Sequence, residues 1–475
     1  MAHNVMTATR IKFGTSGWRA HIADEFTIGN VRRAVRAVAG HVLSKGKKPS
    51  LIVGHDTRFF SEEFARAACE VLAEEGVGVL LCGKPTPTPV IAHEILRRKC
   101  DGAINFTASH NPAEYHGLKF SGADGGPALP EVTKDIEARA AALPPEEGNT
   151  HEHRAAPSVE NIDPAPHYFK RLKDLVNFKA ISQKGSWFVC DAVYGCGAGY
   201  TDRAMVENSV TCGAIRGERD VLFGGHGPDP SEENLAPLRA AVLEAKAAAG
   251  LATDGDADRF GILDGDGSFV QPNHVLALLF DYVVETRGWK LGAARSVATT
   301  HLLDAAARHH GVNLYETPVG FKYVGELIKQ DKIALGGEES AGLSIRGHVP
   351  EKDGILACLL VAEMLAVRGK PLREQLSNLF EKVGAEFWPL RVNLHVADEV
   401  KQRTLDRLKQ DFYKFLGRKV GKIDRTDGVK VVFDNGWWVL MRPSGTEPLM
   451  RIYVETENLE ASRRLATATQ EWVMS

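Results

Sequence analysis

Three aspartates on alternate residues, in Asp254-Gly255-Asp256-Ala257-Asp258-Arg259, are the clearest chemical signal in the chain. In an extended segment alternate side chains point to one side, so these three carboxylates can converge on one cation. Ligation by oxygen alone, without His or Cys, selects a hard ion, Mg²⁺ ahead of Zn²⁺. Carboxylates this close repel one another unless a cation joins them, which weighs against a merely solvated acidic loop. An EF-hand loop also opens D-x-D-x-D, but Arg259 stands where its sixth-position Gly belongs and Gly265 where its twelfth-position Glu belongs.

Three further polar clusters follow apolar runs. Thr107-Ala108-Ser109-His110-Asn111-Pro112 comes after 102–106, at the carboxyl end of a strand, where α/β folds keep their sites. Ser109 there is a candidate nucleophile or phosphate carrier. A free hydroxyl is weak and needs a base, a metal or flanking cations, and His110 and Lys119 are the nearby candidates. Read alone, the hexapeptide is better taken as a plain turn made by Ser109, Asn111 and Pro112. Gly336-Gly337-Glu338-Glu339-Ser340-Ala341-Gly342 offers the acceptor of Glu338 and the donor of Ser340, suited to sugar hydroxyls or to a plain polar turn. Arg442-Pro443-Ser444-Gly445-Thr446-Glu447-Pro448 combines a guanidinium, hydroxyls and backbone N–H groups, which suits a phosphate dianion or a β-turn that happens to contain Arg. Gly195, Gly197 and Gly199 imitate a dinucleotide fingerprint, but its third glycine falls on Tyr200, which argues against NAD. His226, His301 and His348 stand singly and read as loop or core residues.

The elements that position these clusters alternate short apolar runs with amphipathic stretches, the pattern of parallel strands joined by helices. A strand over 51–53 leads to a helix capped by Ser61 and ended by Gly76, and 77–81 returns as a strand. Further on, the pattern predicts a helix over 233–249, strands over 251–253 and 259–263, a helix over 275–286, a strand over 296–300 and a helix over 302–310. Residues 264–268 close a turn. Residues 149–163, without periodicity, read as a linker. The tail differs: strands over 429–433 and 437–441 flank an Asp434-Asn435-Gly436 turn, then come a strand over 451–455 and a terminal helix, an α+β pattern.

The chain of 475 residues, 44% hydrophobic and 25% charged, is that of an ordinary globular protein long enough for several cores. A net charge of −3 gives no field that advertises nucleic acid or an anionic membrane. Seven scattered cysteines without a C-x-x-C pair, no signal-peptide pattern in residues 1–10, and an apolar run at 355–362 that stops at Glu363 lead to the expectation of a cytoplasmic protein with no membrane partner.

In this order, together with Gly14-Thr15-Ser16-Gly17-Trp18-Arg19, the clusters resemble those of the α-D-phosphohexomutase family over essentially the whole chain. The resemblance implies an α/β architecture of three tandem mixed α/β domains plus a C-terminal α+β domain around a central cleft. The expected divisions are 1–155, 156–268, 269–384 and 385–475, each supplying one loop. It implies that Ser109 is the phosphoserine and, with Asp254, Asp256 and Asp258, binds Mg²⁺. Arg19 and Arg259 are expected around the reacting phosphoryl group, His110 and Lys119 in proton transfer, and Lys322 near the substrate. Glu338 and Ser340 would contact sugar hydroxyls, while Arg442, Ser444, Gly445 and Thr446 grip the other phosphate.

The implied reaction passes the phosphoryl group from Ser109 to a hexose monophosphate, and a hexose 1,6-bisphosphate reorients before returning its other phosphate. The expected partners are hexose phosphates, and the expected assembly is a monomer or homodimer. Glu338-Glu339-Ser340 resembles the phosphoglucomutase type, whereas Pro443-Ser444-Gly445-Thr446-Glu447-Pro448 also resembles glucosamine-type mutases, so glucose phosphate is the favoured substrate and mannose or glucosamine phosphate the alternative. A Mg²⁺-dependent sugar phosphatase and a non-catalytic sugar-phosphate sensor are the remaining readings.

Overall fold

The computed structural model describes residues 9–46, 48–145, 159–443 and 449–475. It falls into two units, residues 1–270 with 342–371, and residues 271–341 with 372–475.

The first unit holds two mixed sheets. One runs in the order Trp18–His21, Tyr115–Gly122, Gly102–Phe106, Ser50–His55, Gly78–Cys82, Val159–Ile162. Strand Gly102–Phe106 pairs parallel with Ser50–His55 and antiparallel with Tyr115–Gly122, so the segments after residues 55 and 106 leave the same end of the sheet. Helix Ile28–Leu43 covers one face. Thr27 Oγ1 accepts from Asn30 N–H at 3.3 Å as its cap, and Val31, Ala34, Val35, Val38 and Val42 are buried at helical spacing with Val53, Ile104 and Phe106. Each of these valine, isoleucine and phenylalanine side chains contributes about 1.5–3 kcal/mol of burial, the alanine less. The other sheet runs Phe269–Val270, Phe260–Asp264, Ala249–Thr253, Phe188–Asp191, Cys212–Ile215, and strand Ala249–Thr253 delivers the chain directly to Asp254. Helix Gly354–Arg368 is buried nearly all round, with Asp353 Oδ1 accepting from Leu356 N–H and Glu363 Oε2 from Asn177 N–H, both at 2.8 Å. The apolar run at 355–362 is thus a core helix. Among the described residues no helix is long and apolar enough to cross a membrane.

In the second unit, strand Gly292–Ser296 lies parallel to both Leu314–Thr317 and Ile333–Glu338. A six-stranded antiparallel sheet follows, in the order Trp388–His395, Leu449–Thr456, Trp438–Pro443, Val429–Phe433, Arg418–Asp424, Lys414–Phe415, backed by helix Leu459–Met474. The turn at 434–436 joins Val429–Phe433 to Trp438–Pro443, as its Asp-Asn-Gly chemistry predicts.

Several local expectations are corrected. Residues 149–163 hold, within the described part, strand Val159–Ile162, which joins the first sheet beside Gly78–Cys82. The helix expected over 233–249 is Ala236–Ala245, because Lys246 adopts a left-handed conformation and residues 249–253 are strand. The strand expected over 296–300 is Gly292–Ser296, with Ser296 and Thr299 hydroxyls turned to each other at 2.9 Å. Ser61 does not cap its helix. Its hydroxyl is engaged by Asp56 and His116 instead.

Candidate active site

In the first unit, the segments leaving strands Ser50–His55, Gly102–Phe106 and Ala249–Thr253 converge. Ser109 Oγ donates to Asp254 Oδ2 at 2.7 Å, and His110 Nδ1 lies 3.4 Å from the same hydroxyl. Ser109 is 1% exposed and holds a left-handed backbone, φ +55°, braced by its N–H donating to Thr107 Oγ1 at 2.9 Å. Such strain in a non-glycine residue persists only where the surroundings over-determine it. Gly255 permits the approach of the two loops, because an added Cβ would stand 2.5 Å from Ser109 O. The glycine-rich 195–199 stretch supports the same loop, with Cys196 N–H donating to Gly255 O at 3.0 Å.

The three aspartates meet, but not by strand alternation. Residues 254–259 form a turn in which Ala257 takes φ +56°, and one oxygen of each carboxylate lies within 4.8 Å of the others. All three are buried. Oδ1 of Asp256 and Oδ1 of Asp258 accept no hydrogen bond among the described residues. Orphaned buried carboxylate oxygens beside a third carboxylate are the donor set a hard divalent cation needs, so the residues present fit Mg²⁺. Burial and repulsion from Asp258 and Asp256 push the Asp254 carboxyl well above the usual range. Burial works the same way on Asp258, but Lys119, Lys352 and Arg259 outweigh it and hold that carboxyl well below the range.

Cations ring this cluster. Lys119 Nζ donates to Asp256 Oδ2 and, at 2.8 Å, to Asp258 Oδ2; burial opposes its charge, yet the two aspartates raise its pKa and hold it as an ammonium. Arg259 N–H donates to Asp254 Oδ1 at 3.0 Å, while its buried Nε makes no hydrogen bond among the described residues and forms a longer ion pair, 3.9 Å, with Asp258 Oδ1. Arg19 Nη1 donates to Asn111 Oδ1 at 2.6 Å, and burial followed by repulsion from Arg259 lowers its pKa to about 10. Two guanidiniums close enough to oppose each other form a place where a phosphoryl dianion relieves repulsion.

Four residues of this site escaped sequence reasoning. Thr88 Oγ1 donates to Asp256 Oδ2, and Lys352 Nζ reaches Asp258 Oδ2 at 2.9 Å. No periodicity or spacing points to either. Asp56 and Arg58 carried a usable signal, a polar cluster at the end of the 51–53 apolar run. Arg58, fully buried, donates from Nη2 to Ser109 O at 2.7 Å and Asn111 O at 2.6 Å, and from Nη1 to Pro112 O at 2.7 Å and Tyr115 O at 3.0 Å, while Nε pairs with Asp56 Oδ2 at 3.2 Å. It clamps the whole serine loop. Replacing Arg58 by Met leaves Asp56 without its counter-charge in the interior and should lower unfolding stability by about 3–5 kcal/mol, with turnover falling as well. Arg58→Lys, which lacks the planar fork, should not restore either property in urea titrations and rate assays.

Beneath the clamp, Ser61 Oγ donates to Asp56 Oδ1 at 2.9 Å and lies 2.8 Å from His116 Nε2, while His116 Nδ1 accepts from Gly117 N–H at 2.9 Å. Burial lowers the His116 pKa from 6.5 to about 4, only partly opposed by Asp56. The folded protein keeps this ring neutral down to about pH 4, whereas the unfolded chain takes up its proton near 6.5. The associated stability is therefore present above pH 6.5 and is lost as pH falls from 6.5 to 4, by up to roughly 3 kcal/mol for this one group. The buried His274, also lowered to about 4, acts in the same direction. A urea midpoint unchanged between pH 7.5 and 4.5 would contradict this.

The second unit gathers the remaining candidates. Glu338 ends strand Ile333–Glu338, and its Oε1 accepts from Gly320 N–H at 2.6 Å, two residues before Lys322 at the start of helix Phe321–Lys329. Lys322 Nζ stands 5.6 Å from the Tyr323 ring centroid. Ser340, half-buried, lies in the turn that follows. Glu339 Oε2 accepts from Ser296 Oγ at 3.0 Å and Thr299 Oγ1 at 3.2 Å. Arg442, on strand Trp438–Pro443, donates from Nε to Asp427 Oδ1 at 2.7 Å. Ser444, Gly445 and Thr446 lie outside the described residues.

Models of the phosphoglucomutase/phosphomannomutase family match four successive stretches: alpha/beta/alpha domain I over residues 10–146, domain II over 166–267, domain III over 271–383 and the C-terminal domain over 392–471. A curated relative from Thermococcus kodakarensis named "Phosphoglucomutase/phosphomannomutase" is 30% identical over 452 residues, spanning 95% of this chain and 96% of its own. One from Methanopyrus kandleri named "Probable phosphoglucosamine mutase" is 30% identical over 454 residues, 95% of either chain. The crystal structure of a Thermus thermophilus protein, 35% identical, aligns over 99% of this chain and 100% of its own with a TM-score of 0.86.

Proposed function

The chain belongs to the phosphoglucomutase/phosphomannomutase family of phosphohexomutases, and from that premise we propose that it interconverts glucose 1-phosphate and glucose 6-phosphate with Ser109 as phosphoryl carrier. The observation that carries this reading is the Ser109 hydroxyl 2.7 Å from Asp254, beside two aspartates with unpartnered oxygens.

In this reading a sugar hydroxyl attacks the phosphorus carried on Ser109. The bond from phosphorus to Ser109 Oγ breaks, and the hexose 1,6-bisphosphate turns round and returns its other phosphoryl group to the same oxygen. Such transfer asks the protein mainly for positioning and charge stabilisation. Asp254, Asp256 and Asp258, with the carried phosphate, would hold Mg²⁺, which supplies Lewis-acid neutralisation of phosphoryl charge when bound. Arg19 and Arg259 receive the equatorial oxygens. Lys119, held as an ammonium, serves as proton donor and cation, and His110, beside the hydroxyl, as acceptor. Arg442 with the 444–446 loop grips the non-reacting phosphate, Glu338 and Ser340 hold ring hydroxyls, and Lys322 stands near the substrate. We place one such loop in each of the segments 1–155, 156–268, 269–384 and 385–475.

Glucose is favoured by Glu338-Glu339-Ser340, the phosphoglucomutase form of the sugar loop. A glucosamine phosphate substrate is the second reading, favoured by the Pro443–Pro448 sequence and by the name of the Methanopyrus kandleri relative. The test is kcat/KM for glucose, mannose and glucosamine 1-phosphates with Mg²⁺ and a trace of the matching 1,6-bisphosphate. Glucose 1-phosphate is expected to lead. A lead for either other sugar reassigns the substrate, and release of inorganic phosphate in place of the 6-phosphate makes the protein a phosphatase.

A further inference from the structure

We propose that Asp427 is a positioning residue that couples the grip on the non-reacting phosphate to the contact with the sugar, an inference that rests on the roles proposed above for Arg442 and Glu338. Asp427 stands in the turn between strands Arg418–Asp424 and Val429–Phe433. The next residue, Gly428, takes φ +79°, and an added Cβ there would stand 2.6 Å from Met441 O, so the turn lies directly against strand Trp438–Pro443.

From this turn one carboxylate reaches in two directions. Its Oδ1 accepts from Arg442 Nε at 2.7 Å, and its Oδ2 accepts from the backbone N–H of Val319 at 3.1 Å. The following residue, Gly320, donates its N–H to Glu338 Oε1 at 2.6 Å. The path from guanidinium to sugar-contact carboxylate thus runs through one side chain and two successive peptide groups. Helix Phe321–Lys329 begins at Gly320, which offers no side-chain cap, and Glu338 accepts from the N–H of that N-cap residue while Asp427 holds the residue before it.

The contact is not a screened surface pair, since the Arg442 and Asp427 side chains are 14% and 23% exposed. Holding Arg442 by Nε fixes the guanidinium plane, and its two terminal nitrogens are the pair that fork-like phosphate recognition uses. A phosphate that fixes Arg442 therefore also fixes Asp427, the 319–320 peptides and Glu338. Phosphate grip and hydroxyl contact become one cooperative event.

The test uses a Ser109→Ala background to stop turnover. Glucose 6-phosphate and inorganic phosphate are titrated calorimetrically into that parent, Asp427→Asn, Glu338→Gln and the combined variant. Arg442 Nε and Val319 N–H use separate oxygens of Asp427, and Asn keeps only one of the two and no charge, so Asp427→Asn should weaken glucose 6-phosphate on the order of tenfold. Inorganic phosphate, which has no sugar ring to place a hydroxyl at Glu338, should weaken less. Glu338→Gln should weaken the sugar phosphate about tenfold in the parent but no more than about twofold once Asp427 is Asn, the signature of coupled sites. Arg442→Lys, which lacks Nε, should shrink the Glu338→Gln effect in the same way and serves if the Asp427 variant does not fold. Penalties that multiply independently, or parent-like binding by Asp427→Asn, overturn the coupling. If the parent binds glucose 6-phosphate but the unmutated protein turns over no hexose phosphate, the mutase reading fails while the cycle still decides the coupling; a parent that binds no hexose phosphate overturns both.

Discussion

Ser109→Ala is expected to reduce turnover of glucose 1-phosphate by at least about 10⁴-fold, because no other group can take over a carrier to which both half-reactions form and break a bond. Binding should survive. The groups proposed to hold the sugar phosphate, Arg442 and Glu338, are tied to Asp427 and Gly320. Arg58 grips that loop through backbone carbonyls, which the substitution leaves in place. A second readout separates carrier from bystander: radiolabelled glucose 1,6-bisphosphate should label the unmutated chain and leave Ser109→Ala unlabelled. Activity near that of the unmutated protein, or label on the alanine variant, contradicts the carrier role.

Removal of divalent cations by a chelator should abolish turnover, and Mg²⁺ should restore it. Asp256→Asn is expected to lower kcat on the order of a thousandfold even at saturating Mg²⁺. The choice of residue follows from its environment. Among the described residues Asp256 keeps one oxygen engaged by Lys119 and Thr88 and the other without a hydrogen bond, so its substitution removes a proposed ligand as well as an anchor. Thermal melts supply a readout independent of catalysis. A cation that binds only the folded protein adds about 2.7 kcal/mol at a hundredfold excess over its Kd, so the melting midpoint should rise with Mg²⁺ for the unmutated protein and stay nearly flat for Asp256→Asn. In the chelated state the substitution removes one of three mutually repelling carboxylates, which offsets the lost contacts to Lys119 and Thr88. Full activity in chelator, or an equal Mg²⁺-induced rise in the variant, refutes the metal role.

The chemistry written in consecutive residues could be read without a structure. Asp254, Asp256 and Asp258 lie within five positions of one another, and Ser109 follows an apolar strand, so local spacing alone pointed to a candidate hard-cation set and a candidate carrier. The alternation of strands and helices in the first segments and the hairpin of the tail were equally local, since hydrophobic period and turn chemistry act over a few residues. Folding decided what depends on distant segments. The aspartates meet through a turn with a left-handed Ala257 and not through strand alternation, because the Ser109 loop packs against Gly255 and the chain must bend round it. Arg58 and Lys352 are brought to the site from 51 and 94 residues away from Ser109 and Asp258. Asp427 joins Val319 and Arg442 across 108 and 15 residues. No periodicity records such pairings, because a buried charge is placed by whatever donors and acceptors the packed elements bring beside it, and those are set only when the sheets assemble.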